Sequence, residues 1–76
     1  MKAIINELEI RGDFKIRKGS IVELDFWNDG KPIETKVDEI VMEKGTVYIE
    51  SYTTGYCNPM THSAEQYKNH GNLIKY

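Results

Sequence analysis

Short alternating stretches separated by turn dipeptides govern what this chain can fold into. Apolar and polar residues alternate over 21–27, break at Asp29-Gly30, resume from Ile33, break again at Lys44-Gly45, and resume over 46–52. A period of two sends successive side chains to opposite faces, so each stretch has one face to bury. Three such stretches joined by tight turns are the pattern of a small antiparallel β-meander.

Within it, Val22, Leu24 and Phe26 point one way and Glu23 and Asp25 the other. Asp29-Gly30 suits a type I′ hairpin turn, because both central residues there need positive φ. Pro32 follows and lacks an N–H, so the next strand is expected to start at an edge or unpaired position. Ile33, Thr35 and Val37 then face inward, with Glu34, Lys36 and Asp38 outside. At Ile40-Val41-Met42 the alternation fails, which predicts a bulge or a strand that bends between two faces. Val47, Ile49 and Ser51 alternate against Tyr48, Glu50 and Tyr52.

The flanks are less regular. Residues 3–10 fit a strand better than a helix. Arg11-Gly12-Asp13 reads as a three-residue loop that sets Ile10 opposite Phe14. A two-residue Gly-Asp turn would place Ile10 against Lys15 and mix the faces. Phe14-Lys15-Ile16 continues the alternation. Residues 53–63 carry Gly55, Asn58 and Pro59 and read as an irregular loop. Ser63 is placed to cap a short helical turn reaching Lys68, with Gln66 three residues on completing a capping box. His70-Gly71 ends that turn, and Leu73-Ile74 forms a brief closing strand. The expected core is Val22, Leu24, Phe26, Ile33, Val37, Ile40, Val47, Ile49 and Leu73.

Seventy-six residues suffice for one domain, spanning 1–76, and one compact core. Cys57 is the single cysteine, so no intramolecular disulfide forms. With no secretory leader pattern, a cytoplasmic location is expected. Apolar runs are a few residues long, far short of a membrane span. The net charge of −2 is unevenly spread: residues 1–20 are net basic, 21–50 strongly acidic and 51–76 slightly basic. An acidic central meander argues against a broad nucleic-acid face, which needs clustered Lys and Arg. A local basic patch remains at Arg11, Lys15, Arg17 and Lys18.

Phe14-Lys15-Ile16 followed by Lys18-Gly19-Ser20-Ile21-Val22-Glu23-Leu24 resembles the opening of an SH3-like small β-barrel. In that family a Lys-Gly-polar turn precedes a Val-x-Leu strand, then come two meander strands, a short helical turn and a final strand. The resemblance covers residues 14–75 and is architectural. It implies an all-β fold: a small antiparallel, SH3-like barrel of about five strands with one short helical turn near the C-terminus. Residues 1–13 would be an N-terminal strand and turn. The chain lacks the acidic, aromatic-rich loop of peptide-binding SH3 domains, so recognition of proline-rich peptides is not implied. Stand-alone barrels of phage and mobile elements are of similar scale, and fold alone does not supply function.

Cys57 and His62 are the one nucleophile-plus-base pair, but no third residue orients them and no Gly-rich oxyanion turn lies nearby. With His70 they offer zinc-type ligands, without Cys-x-x-Cys or His-x-x-x-His spacing. Neither catalysis nor a metal or other cofactor is therefore expected. Arg11-Gly12-Asp13 matches an integrin-binding tripeptide and reads here as a turn. The aromatic residues are the better clue. Trp27, Tyr48 and Tyr52 alternate away from the core, toward either a second small core under residues 53–76 or a recognition surface. Glu23, Asp25, Glu34, Asp38 and Glu39 form an acidic strand surface, a solvated face or a dock for a basic protein.

The expected function is non-catalytic binding: a phage or bacterial accessory protein that blocks or recruits a host protein. The expected surface is Trp27, Tyr52, Tyr56, Cys57, Asn58, His62 and Tyr67. One alternative is an oligomer that sequesters a small nucleotide-type ligand, since a subunit interface can supply a pocket a short chain lacks. Another is a nucleic-acid-binding barrel using Arg11, Lys15, Arg17 and Lys18. No membrane partner is expected.

Overall fold

The computed structural model describes residues 2–25, 31–53 and 58–76. The predicted turn at Asp29-Gly30 and the core position Phe26 lie outside the described residues. Strands β1 (Lys2–Ile4), β2 (Glu7–Arg11), β3 (Phe14–Arg17), β4 (Ile21–Leu24), β5 (Ile33–Glu43), β6 (Thr46–Thr53) and β7 (Met60–Ser63) precede helix α1 (Ala64–His70) and strand β8 (Gly71–Lys75). All pairings among the described residues are antiparallel.

The expected all-β class with one short helix is what the chain adopts. Two finer expectations need correction. The described residues form eight strands where about five were expected. The main sheet runs β7-β6-β5-β4-β8 with β1 also on β5, and its end strands β7 and β8 do not pair among the described residues, so the sheet is open there.

The eleven residues of β5 organise the sheet. One edge pairs with β6 over most of its length. The other edge is shared end to end: residues 33–36 pair with β4 and 41–43 with β1. Between those partners the ladder continues through loop backbone. Gly19 N–H donates to Val37 O, Val37 N–H to Ser20 O, and Ile5 N–H to Ile40 O. The register on β6 slips between Val37 and Glu39, so the irregularity expected at 40–42 is seated at Asp38. It lets Val37 and Ile40 both turn inward, while Val41 is buried on the other face beneath Ile4 and Tyr48.

The hairpin from β5 to β6 closes on Lys44-Gly45, with φ of 52° and 80° and Glu43 opposite Thr46. Both central residues take the positive φ that a two-residue I′ turn requires. The β2–β3 hairpin departs from expectation. Its turn is the two residues Gly12 and Asp13, with Arg11 opposite Phe14. The clash of faces this should cause is removed by a bulge between Glu9 and Arg11. Ile10 is the extra residue, so Leu8 and Ile10 both stay on the inner side.

β2 and β3 form a separate two-stranded layer over the main sheet's inner face. The core between them is Phe14, Ile16, Val22, Leu24, Val37, Ile40, Ile49 and Tyr67, with Ile5, Leu8, Ile10, Val47, Ala64 and Leu73 against it. Ile33 is only partly buried at the end of β5. Helix α1 starts as its residues dictate: Ser63 Oγ accepts from Gln66 N–H at 3.2 Å, and Gln66 Oε1 accepts from Ser63 N–H at 2.9 Å. It ends where Gly71 enters β8, paired with Leu24 of β4.

Candidate functional site

Of the predicted surface, Tyr52, Asn58, His62 and Tyr67 fall among the described residues. Trp27, Tyr56 and Cys57 lie outside the described residues. Tyr67 is fully buried in the core, which removes it from any surface. It sits three residues after Ala64 on α1, and that inward stripe is what the sequence offered as a burial signal. His62 stands opposite Ile49 on the inner side of β7, half-buried, its ring 6.4 Å from that of Tyr67. Burial lowers the His62 pKa from its ordinary value. Burial likewise pushes the Tyr67 phenol up, while the nearby hydroxyls of Ser51 and Thr35 pull it part of the way back. The Tyr67 and Ser51 oxygens are near each other, yet among the described residues neither meets full hydrogen-bond geometry. Asn58 is exposed.

His70 is elsewhere, at the end of α1, with Nδ1 3.5 Å from Asp25 Oδ1 on an exposed edge. No group of three or more His, Cys, Asp or Glu side chains is gathered for a metal among the described residues. No helix among them is long and apolar enough to cross a membrane.

Tyr52 and Tyr48 are the exposed rings of β6. Among the described residues the C-terminal segment packs α1 and Tyr67 against the inner face and forms no second core over these two rings. Tyr48 stays 36 % and Tyr52 42 % exposed, both on the outer face of β6 with Glu50 between them. Register shows what surrounds them: the outer face has an acidic half toward β1 and a basic half around Lys36, the basic half bordered in turn by the opposed pair Glu23 and Glu34.

In the first half, Tyr48 stands opposite Val41, and Val41 opposite Ile4. Ile4 is 61 % exposed. Lys2, Val41, Glu43, Tyr48, Glu50 and Thr61 line a shallow depression of about 240 Å3. Directly beside this apolar strip, Glu39 faces Glu50 across the β5–β6 ladder. Opposed residues of an antiparallel pair have Cβ atoms roughly 5 Å apart, and like charges in that arrangement are destabilising.

In the second half, one row crosses four strands: Tyr52, Lys36, Ile21 and Lys75. Lys18 and Asp38 join Lys36 and Tyr52 around one cleft, and Arg17, Lys18, Lys36, Lys75 and Tyr76 line a second of about 460 Å3. The cations expected to act together are thereby separated. Arg17 and Lys18 belong to this patch, whereas the Arg11 guanidinium donates to the carbonyls of Lys68 and Gly71 at the far end of α1. Lys36 and Lys75 come from the middle and end of the chain, and no local sequence motif connects them.

No family model matches the chain, and searches of curated proteins and of solved structures give no significant match.

Proposed function

We propose that this protein is a non-catalytic binding module that acts by occupying a partner protein, with the acidic half of its outer face as the working surface. The opposition of Glu39 and Glu50 beside the strip Ile4–Val41–Tyr48 carries this reading. In the lone chain that carboxylate pair is a net cost. A Lys or Arg from a partner, set between the two carboxylates, turns repulsion into charge-assisted hydrogen bonds. An exposed Tyr with apolar neighbours, rimmed by charge, is the composition of a protein-binding centre. The partner surface is therefore basic, with an apolar side chain placed to cover Tyr48.

An SH3-like ancestry for the sheet goes with this reading. It is supported by the Lys18-Gly19-Ser20 turn leading into β4, by the long β5 and β6, and by the capped helical turn before a last strand on β4.

The test is affinity capture from bacterial lysate, quantified by mass spectrometry. It uses the wild type, Tyr48→Arg, the double variant Glu39→Lys/Glu50→Lys, and Lys36→Glu as a control on the other half. Circular dichroism establishes that each variant is folded. A protein retained by the wild type and by Lys36→Glu, and lost at least about tenfold by both acidic-half variants, supports the proposal; a tenfold loss equals about 1.4 kcal/mol. Equal retention by all four proteins, or no specific retention, overturns it.

A further inference from the structure

We infer that the basic half of the outer face binds the backbone of a single-stranded nucleic acid. This surface is distinct from the one assigned to a protein partner, and the inference does not depend on that assignment.

The row Tyr52–Lys36–Ile21–Lys75 runs across the outer face. Its members come from β6, β5, β4 and β8, so Lys36 and Lys75 are two strands apart, roughly 10 Å. That is a span over which two ammonium groups meet separate phosphates of one strand. Lys18 and Arg17 close the row at the clefts they share with Lys36 and Lys75. Four cations thus surround Ile21, in a chain whose net charge is −2.

An exposed aromatic ring stands at each end of this row. Tyr52 is 42 % and Tyr76 39 % exposed. Tyr76 is held in place: the Arg17 guanidinium lies 4.2 Å from its ring centroid. Arg17 Nε donates to its main-chain oxygen at 3.4 Å, and the buried Ser20 hydroxyl donates to the same oxygen at 3.0 Å. Phosphate-binding cations between aromatic rings that stack on bases are the elements by which proteins hold single strands with little sequence preference. The face is built from strand residues and offers no helix to enter a duplex groove. Carboxylates limit the track. Asp38 lines the cleft with Lys18, Lys36 and Tyr52, and Glu34 and Glu23 occupy the next row along the strands. The strand therefore runs across the sheet, from Tyr52 toward Tyr76.

The test is fluorescence anisotropy of a short fluorescein-labelled oligothymidylate with the wild type, Lys36→Glu/Lys75→Glu and Tyr52→Ala, from about 20 to about 200 mM salt. All three substituted side chains are exposed, and circular dichroism checks folding. The wild type is expected to bind at low salt with a log–log salt slope of about −2 to −3, from about −0.7 per phosphate contact. The Lys36→Glu/Lys75→Glu protein should bind at least about tenfold more weakly with a flatter slope, and Tyr52→Ala severalfold more weakly with the slope unchanged. Absence of binding at low salt overturns the inference, as does binding unaffected by the double variant. Competition by polyglutamate together with full binding by Tyr52→Ala also overturns it, and assigns the patch to an acidic protein segment. Low-salt sedimentation showing a dimer abolished by both Lys36→Glu and Glu50→Lys overturns it in favour of a second copy's acidic half.

Discussion

Arg11 Nη2 donates to the main-chain oxygen of Gly71 at 3.2 Å, joining the tip of the first hairpin to a residue 60 positions later. The same guanidinium donates to the carbonyl of Lys68 and lies over the Phe14 ring at 5.5 Å. A cation at the C-terminal end of a helix meets carbonyls that have no intrahelical partner, and the helix dipole adds to the attraction. The tripeptide Arg11-Gly12-Asp13 is thus a structural clasp in this chain. Arg11→Met, which keeps most of the apolar stem, is expected to lower stability by about 1 kcal/mol, or about 5 °C in Tm. Thermal unfolding followed by circular dichroism measures it; an unchanged Tm would show that the clasp contributes nothing net.

Gly71 is needed for a different reason. A Cβ there would lie 2.6 Å from the Tyr67 carbonyl oxygen and 3.3 Å from both Leu24 and Phe14 side chains. Its φ of −101° is open to any residue, so the constraint is space alone. The Tyr67 carbonyl is backbone of α1 and cannot yield without shifting the helix. Gly71→Ala should destabilise by about 1–3 kcal/mol, read from chemical denaturation with an unchanged m-value.

Lys44 sits at φ 52° in the β5–β6 turn, where L-residues other than Asn, Asp and Gly are strained. Lys44→Asn is expected to raise stability by about 0.5–1 kcal/mol, and Lys44→Val to lower it. Urea midpoints of the two variants, compared with the wild type, decide the point.

The buried Tyr67 hydroxyl separates size from polarity. Because neither it nor Ser51 Oγ meets full hydrogen-bond geometry among the described residues, Tyr67→Phe removes a poorly compensated polar atom and should be neutral or stabilising. Tyr67→Ala empties the centre of the core and should cost about 3–5 kcal/mol. A large loss in the Phe variant would mean the hydroxyl is bonded after all.

His62 gives the fold a pH dependence of fixed sign. Its pKa in the folded chain lies below the ordinary value of 6.5 because burial disfavours the imidazolium. Near pH 6.5 and below, the unfolded chain takes up the proton more readily than the folded one. Stability from this group is therefore fully present above pH 6.5 and lost as pH falls toward the folded-state pKa. Urea titrations across pH 5 to 8 should show that slope for the wild type and a flatter one for His62→Gln.

The meander was legible because its residues state both period and turns: β4, β5 and β6 follow the alternation, and Lys44-Gly45 closes the hairpin where predicted. The capping box at Ser63 and Gln66 was equally local. Phe14 and Ile16 followed the same alternation yet were missing from the expected core, since nothing in a four-residue strand says which layer will cover it. The turn at Gly12-Asp13 was misjudged because a bulge is a pairing property, and Ile10 looks like any strand residue until its partner is known. The two halves of the outer face were hidden for the same reason. Glu39 meets Glu50, and Lys36 shares a row with Lys75, only through the registers on β5 and β4.

The seam between β4 and β8 also sets the order in which the protein can be completed. Residues 21–24 are made well before residues 71–75, which pair with them. During synthesis β4 can hold β5 on one side while its other edge offers unpaired backbone groups to any neighbouring strand. Contacts so distant in sequence form slowly. A nascent chain stalled before Gly71 would expose an aggregation-prone edge along β4, and the emergence of β8 is the step that seals it.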